Sequence, residues 1–187
     1  MLLNDVDASA FNLVNHTLNV PALDPVMVFV TNWNVLLFLG IYLLIYRAER
    51  LPSLVPLAVA IVSFVLADWT AHLIKDQIQR IRPSNALEGV HLLVRRTQSY
   101  SMPSNHAANT FAFAAPFYVF SRSRWRHALL AVAVAVAYSR PYVGVHYPGD
   151  VLAGAVYGTL LGGSIAMITA RMLKGRLPER LTRVDLK

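Results

Sequence analysis

The chain has 187 residues, of which 56% are hydrophobic and only 14% are charged, and its mean hydropathy is +0.46. Charge this sparse, set among apolar runs of about twenty residues, is typical of an integral membrane protein. The net charge of +7 does not indicate a nucleic-acid-binding protein, because six of the seventeen basic residues follow the last apolar run, as in a cytoplasmic juxtamembrane tail. The chain has no cysteine, which excludes disulfides and thiolate chemistry.

The first twenty residues are too polar to span a membrane. Apolar side chains such as Val6, Ala10 and Leu13 recur with a helical period, and polar side chains such as Asp7 and Asn12 lie elsewhere. This pattern predicts an amphipathic helix in the membrane interface. A short helix packed on the rest of the protein explains the pattern equally well.

Five apolar runs follow and predict five transmembrane helices at residues 25–46, 51–71, 104–120, 128–139 and 148–170. Asn32 and Asn34 in the first run are interpreted as hydrogen-bonding to neighbouring helices. In the last run Gly154, Gly158 and Gly162 repeat every four residues, which predicts a smooth face for close helix contact. The predicted fold is an all-α integral membrane protein, one domain over residues 1–187, with an amphipathic helix (1–20), a helical bundle (21–172) and a basic tail (173–187).

Clusters of basic residues indicate the orientation of the bundle. With five spans, the arginines at 47–50 and 122–126 and the basic tail fall on one side, which the positive-inside rule makes cytoplasmic. The segments 72–102 and 139–150 then lie outside. Five cations there break the rule, which predicts that they have another role: Lys75, Arg80, Arg82, Arg95 and Arg96.

The first of three polar segments on that side contains Lys75 and Arg82. The two cations are seven positions apart, so they share a face if the segment is helical, and both can reach one anion. Pro83 disfavours helix at Arg82, and we expect the helix to end there. Taken alone, the pair is explained almost as well by two side chains that extend to the membrane surface.

The second segment, residues 103–106, opens the third predicted span. Ser104 is a natural helix N-cap, and the free N–H groups of Asn105, His106 and Ala107 would form an anion site at the positive end of the helix dipole. Taken alone, Ser104 is more often a plain cap and His106 an interfacial histidine.

The third segment, residues 139–150, places three charged or titratable side chains between two apolar runs. Arg140 offers a planar fork suited to phosphate oxygens. Asp150 follows His146 by four residues, and its carboxylate can reach back to fix the tautomer of the imidazole. Taken alone, this pair is better explained by a capping aspartate beside an ordinary loop histidine.

Together, the three segments favour a phosphate site. Lys75, Arg82 and Arg140 supply three positive charges for a phosphate of roughly −1.5 to −2. His146, His106 and Asp150 supply a nucleophile, an acid and an orienting group in some assignment. No cluster of acidic residues and histidines has the spacing of a metal site, so we expect the cations to stabilise the charge without a metal.

The motifs Lys-x6-Arg-Pro at 75–83, Pro-Ser-x-His at 103–106 and Ser-Arg-x5-His-x3-Asp at 139–150 resemble the three signatures of the type 2 phosphatidic acid phosphatase (PAP2) superfamily. This superfamily includes membrane lipid phosphatases and soluble vanadium haloperoxidases. The resemblance covers roughly residues 20–172. The sequence departs from the family pattern at Asn105, which replaces the usual glycine and is expected to narrow or rewire one edge of the phosphate site.

The resemblance implies a role for each matching residue. His146 would attack phosphorus to form a phosphohistidine, Asp150 would orient it, and His106 would protonate the departing oxygen and then activate water. The phosphoryl oxygens would be held by Lys75, Arg82, Ser104, the Asn105 backbone and Arg140. The resemblance implies no metal or other cofactor.

The expected substrate is an amphiphile whose phosphate enters the cationic site while its tail stays in lipid. The outward-facing site, compact chain and short loops resemble the undecaprenyl diphosphate phosphatase branch of the superfamily, which implies a protein of the bacterial inner membrane with its active site on the outer face. Phosphatidylglycerol phosphate, phosphatidic acid and lipid A phosphatases are the alternatives, as is a non-enzymatic lipid-phosphate binder. Expected partners are the lipid phosphate and membrane lipids, with no nucleic acid and no obligate protein partner. Arg95 and Arg96 either meet a second phosphate or are solvated.

Overall fold

The computed structural model describes residues 2–174, and in this range the protein consists of helices and loops without β-strands. Of the predicted basic tail, all but its first two residues lie outside the described range. The helices are α1 (Leu2–Asn12), α2 (Asp24–Asn32), α3 (Asn34–Glu49), α4 (Leu54–Ile78), α5 (Pro83–Ala86), α6 (Asn105–Phe120), α7 (Trp125–Tyr142) and α8 (Pro148–Leu173). A π-helical turn, Leu13–Thr17, continues α1, and short 3-10 turns at Pro21–Leu23 and Leu51–Ser53 precede α2 and α4.

Helix α6 is the centre of the bundle and packs against α4, α7 and α8. Its alanines Ala107, Ala108, Ala112 and Ala114 are buried. The α6–α8 contact is so close that a methyl group added at any of three α8 glycines would overlap a backbone carbonyl of α6 or of its N-cap residue Ser104. These glycines are Gly154, Gly158 and Gly162, so the predicted smooth face is confirmed.

The prediction of one continuous helix over residues 25–46 is wrong. Helices α2 and α3 meet at Trp33, whose backbone leaves the helical region (φ −116°, ψ 19°), and the helical segments Pro21–Asn32 and Asn34–Glu49 are bent by 71°. The side chain of Asn34 donates to the carbonyl oxygen of Thr31 at 2.9 Å and so bridges this break. Asn34, at the start of α3, is therefore bonded to the neighbouring helix α2, which is the other half of the same predicted span.

Two helical stretches among the described residues, Leu51–Ala86 and Pro148–Leu173, are long and apolar enough to cross a membrane, and the bent pair makes a third. Helix α6 has 16 residues. At 1.5 Å per residue it spans about 24 Å, less than a hydrocarbon core of about 30 Å. The protein is thus an all-helical membrane protein with two or three candidate spans, and the five-span bundle remains a prediction.

The N-terminal segment, residues 2–17, packs onto the bundle. Phe11 is fully buried, and its ring lies edge-on to Tyr147 at 5.7 Å between ring centroids. Asn15 is also fully buried. These contacts fit the packed helix that the sequence left open as an alternative.

Candidate active site

All eight predicted site residues lie at one end of the bundle, here called the site end, where α4 and α7 finish and α6 and α8 begin. Lys75 is in the last turn of α4, Arg140 is in the last turn of α7, and Asp150 is in the first turn of α8. The others lie in the connecting loops or in the first turn of α6: Arg82, Ser104, Asn105, His106 and His146. The antiparallel arrangement of the four helices therefore unites three segments that are far apart in sequence.

Lys75 and Arg82 converge by a route that differs from the predicted one. Helix α4 ends at Ile78, not at Arg82, and Gln79 adopts the left-handed conformation (φ 53°) that ends it. The two cations are therefore not on one helical face. They are instead joined by the loop of residues 99–101: Lys75 Nζ donates to the carbonyl oxygen of Tyr100 (2.9 Å), and Arg82 Nε donates to that of Ser99 (2.8 Å).

Arg82 lies directly against His146. Its Nη1 is 2.9 Å from His146 Nε2 and 3.0 Å from the carbonyl oxygen of Val145. Because a guanidinium only donates hydrogen bonds, Nε2 must accept here, which leaves the ring proton on Nδ1. A phosphoryl group held by Arg82 would thus lie beside the lone pair of Nε2.

Asp150 stands on the other side of the imidazole. The distance between its Oδ2 and His146 Nδ1 is 3.6 Å, which is too long for the predicted direct hydrogen bond. Ser101 lies between them: its Oγ donates to Asp150 Oδ2 at 2.5 Å and is 3.4 Å from His146 Nδ1. Oδ2 also accepts from the backbone N–H of Tyr147 at 2.8 Å, so the carboxylate is fixed by its own loop.

The environment of His146 favours its neutral form. Its side chain is 2% exposed. Burial and the positive charges of Arg82, Arg140 and Lys75 hold the pKa of His146 well below the usual range of histidine. His106, in the first turn of α6, interacts electrostatically with His146 and with the same three cations. At neutral pH the ring of His146 is therefore neutral, and its Nε2 lone pair accepts the hydrogen bond from Arg82.

Two buried donors of the site, Arg140 Nε and Ser104 Oγ, have no hydrogen-bond partner among the described residues, and neither has the buried acceptor Asn105 Oδ1. Arg140 is anchored through Nη1, which donates to Thr31 Oγ1 at the bend between α2 and α3. Ser104 occupies the predicted N-cap position of α6, but its hydroxyl makes no capping hydrogen bond. A buried donor without an acceptor is costly, so both groups are suited to oxygens of a ligand.

The PAP2 superfamily model matches residues 56–173, which contain all three motifs and every predicted site residue. The chain belongs to the PAP2 superfamily. The predicted family is thereby confirmed.

The chain is similar to two named phosphatases and to one solved structure. It is 32% identical over 153 residues to an undecaprenyl-diphosphatase of Sulfolobus acidocaldarius, covering 80% of this chain and 71% of that protein. It is 36% identical over 110 residues to a lipid A 4'-phosphatase of Bacteroides thetaiotaomicron, of which it spans about half the length (48%). The crystal structure of Aquifex aeolicus LpxE superimposes with a TM-score of 0.66 at 27% identity, covering 87% of this chain and 95% of that one. These relatives support the predicted class, an enzyme that hydrolyses lipid phosphates.

Asn105, which replaces the family glycine, has its side chain tied to α4. Its Nδ2 donates to Asp68 Oδ1 (3.0 Å) and lies 3.0 Å from His72 Nδ1, while Asn109 Nδ2 donates to the same Asp68 oxygen (2.8 Å). The amide is therefore drawn toward Asp68 and His72. The side chain thus links α6 to α4, and its effect on the phosphate site stays a prediction.

Sequence reasoning missed four residues that hold the site together: Asp7, Thr31, Arg80 and Ser101. Arg80 Nη1 contacts Asp150 Oδ1 at 2.9 Å and Asp7 Oδ2 at 2.7 Å. Its position against the positive-inside rule was the one signal in the sequence. Arg95 and Arg96, which shared that signal, are exposed on the loop that follows α5.

Proposed function

We propose that this protein is a metal-independent lipid phosphatase of a cell membrane, and that undecaprenyl diphosphate is its preferred substrate. The observation that carries the proposal is the burial of Lys75, Arg82 and Arg140, which are 4%, 7% and 8% exposed, near His106 and His146. Desolvating three cations costs several kcal/mol each unless an anion accompanies them. The unpartnered Arg140 Nε and Ser104 Oγ are donors for that anion.

The proposed reaction has two steps at phosphorus. His146 Nε2 forms a bond to phosphorus as the bond to the lipid oxygen breaks, and His106 gives a proton to that oxygen. His106 then takes a proton from water, whose oxygen displaces His146 and releases inorganic phosphate. Asp150 keeps the Nδ1 proton of His146 oriented through Ser101, and the cations stabilise the phosphoryl oxygens.

An apolar groove supports a lipid as the substrate. It has a volume of about 360 Å³ and runs between α3, α4 and α6, where Phe38, Tyr42, Ile61, Phe64 and Phe113 are among its lining residues. It is open on one side, so a lipid chain could enter it from the bilayer.

The groove begins next to the phosphate site. Its lining residue Thr110 donates to the carbonyl oxygen of His106 at 2.7 Å. Its lining residue Asn34 bonds to Thr31, which in turn receives a hydrogen bond from Arg140. A substrate with its phosphate at Arg140 would therefore have its chain directed into the groove.

The undecaprenyl-diphosphatase of S. acidocaldarius supports the choice of substrate, since the match to it covers most of both chains. Phosphatidylglycerol phosphate, phosphatidic acid and lipid A are the alternatives within the same chemistry. We further propose that the protein forms a five-span bundle in a bacterial inner membrane, with the site end on the outer face and the basic tail inside. The arginines at 122, 124 and 126, at the end opposite the site, support this orientation.

The proposed activity is tested by phosphate release from undecaprenyl diphosphate, phosphatidylglycerol phosphate, phosphatidic acid and lipid A, each with and without excess chelator. We expect fastest turnover of undecaprenyl diphosphate and equal rates with chelator. Loss of activity on chelation would contradict the metal-independent mechanism. Binding of these lipids without phosphate release would instead support a non-enzymatic binder.

The role of the groove is tested by a matched pair of neighbours on α4. Ile61 lines the groove and Val62 does not, yet both are 51% exposed. We expect Ile61→Trp to lower kcat/KM about tenfold for a long-chain lipid phosphate but not for a short-chain analogue, because the indole fills the groove. Val62→Trp should leave both substrates unaffected. Equal effects of the two variants would remove the groove from the proposal.

A further inference from the structure

The N-terminal segment, residues 2–17, lies against both flanks of the loop that carries His146. The PAP2 match begins only at residue 56, so this segment is outside the part of the chain that defines the family. Its contacts with the site are thus a property of this chain that the family chemistry does not assign.

Asp7 makes the first contact, at the start of α8. Its Oδ1 accepts from the backbone N–H of Gly149 at 2.7 Å, and its Oδ2 lies 2.7 Å from Arg80 Nη1. The first N–H groups of a helix have no partner within the helix, and a carboxylate there is favoured by the helix dipole. Gly149 permits this approach, because a methyl group in its place would lie 2.6 Å from Asp7 Oδ2.

Arg80 connects Asp7 to Asp150. The same Nη1 that meets Asp7 donates to Asp150 Oδ1 at 2.9 Å, and Asp150 is completely buried. The Arg80 guanidinium stacks on the ring of Tyr147 at 4.1 Å, and that ring is held on its edge by Phe11. The N-terminal segment therefore fixes Arg80 both by charge, through Asp7, and by packing, through Phe11.

Asn15 makes the second contact, on the other flank of the loop. Its Nδ2 donates to the carbonyl oxygens of Tyr142 (2.8 Å) and His91 (3.0 Å), and its Oδ1 accepts from the His91 N–H at 2.9 Å. His146 thus lies between Tyr142 and Gly149, whose backbones form hydrogen bonds with the N-terminal segment.

We propose that the N-terminal segment is a positioning element of the active site, in which Asp7 holds Arg80 and the first turn of α8 so that Asp150 keeps its place beside His146. Asp7 does not touch the reacting atoms and is a positioning residue. Asp7 and Asp150 both pair with the guanidinium of Arg80, so Asp7 does not help to neutralise the charge of Asp150. Its contribution is to hold Arg80 in position. The inference rests on the proposed phosphatase activity.

The test uses the full-length protein and its phosphate release from the best lipid phosphate. We expect Asp7→Ala to lower kcat about tenfold with KM changed less than twofold, because phosphate binding by the cations is untouched while Asp150 loses its support. The kcat of Asp7→Asn should fall between those of the wild type and Asp7→Ala. The amide oxygen of Asn can still accept from the Gly149 N–H, but the neutral amide no longer forms an ion pair with Arg80. Asp5→Ala, at an exposed position of the same helix, is the matched control and should equal the wild type.

A second variant changes Gly149, the residue whose backbone N–H bonds to Asp7. Gly149→Ala should displace the Asp7 carboxylate and lower kcat by a similar factor. In the Asp7→Ala protein the same change should add less than twofold, because the clashing atoms are gone. Additive effects of the two changes would contradict the proposed contact.

Unchanged kcat in both Asp7 variants would overturn the inference, as would a change confined to KM or to the melting temperature. If Asp7→Ala fails to fold, Asp7→Asn and Gly149→Ala decide by the same criterion. Wild-type turnover separates the two proposals: no phosphate release by the wild type contradicts the proposed function, whereas normal turnover with unaffected variants contradicts only the role of Asp7.

Discussion

Both ends of the bundle carry arginines, but the burial and the contacts of these arginines differ between the two ends. At the site end Arg82 and Arg140 are buried. At the opposite end Arg124 is exposed and rests on the ring of Trp125 at 5.2 Å. Arg126 is half-buried, lies over the ring of Tyr118 at 5.2 Å and donates to the Ser121 carbonyl oxygen.

This difference in burial distinguishes cations suited to bind a ligand from cations suited to anchor the protein at the membrane surface. An exposed arginine beside aromatic rings costs little and suits the headgroup region of a membrane. Lys75, Arg82 and Arg140 are desolvated, and the nearest buried acid, Asp150, is already paired with Arg80. That excess of buried positive charge indicates an anionic ligand, whereas the basic residue count alone does not.

The largest expected effect comes from the imidazole at the centre of the buried cations. We expect His146→Ala to lower kcat at least about 10³-fold, because the variant lacks the imidazole proposed to attack phosphorus. Phosphate release measures the loss, and an unchanged melting temperature shows that the fold is intact. Near-normal turnover would remove His146 as the nucleophile.

Conservative changes at the two ends sharpen the comparison. Arg82→Lys keeps the charge but loses the fork that contacts Ser99, Val145 and His146, and we expect kcat/KM to fall about a hundredfold. Arg124→Lys, the matched change at the opposite end, should leave kcat/KM within twofold of the wild type. Similar losses in both variants would mean that burial does not distinguish the two sets of cations.

A smaller effect is expected in the pH profile. Because burial and three cations lower the pKa of His146, its lone pair is lost only at a pH well below the ordinary histidine value of 6.5. The acid limb of kcat/KM should therefore lie below pH 6.5. Lys75→Met removes one of the charges and should move that limb upward.

This profile is measured as kcat/KM for phosphate release between pH 4.5 and 8, where it reports ionisations of the free enzyme. An acid limb that stays in place in Lys75→Met, or that lies above pH 6.5 in the wild type, would contradict the proposed environment of His146.

The sequence predicted a set of site residues that the structure brings to one end of the bundle, but it did not predict the contacts between them. Motif spacing identified Lys75, His106 and His146, because each motif falls where a helix begins or ends. The glycines of α8 were predictable because a repeat of four residues leaves one helical face smooth. The two helix ends that were not predicted lack such a signal. Helices α2 and α4 end at Trp33 and Gln79, and neither residue is a glycine or a proline.

The residues that were missed act over long separations in sequence. Asp7 reads as one polar side chain of an amphipathic helix, and only the fold brings it to Gly149, 142 residues later. Ser101 gives no sign that it lies between His146 and Asp150. A single sequence shows which side chains are available, whereas tertiary packing decides which of them meet.

The central claim is that the three segments form one phosphate site in which His146 becomes phosphorylated. The most direct test is to mix the His106→Ala protein with a phosphorus-labelled aryl phosphate, whose leaving group needs no protonation, and to map the label after rapid denaturation. We predict label on His146 in an acid-labile, base-stable linkage, since water is no longer activated for its release. Label on another residue, or none during continuing turnover, would contradict the claim.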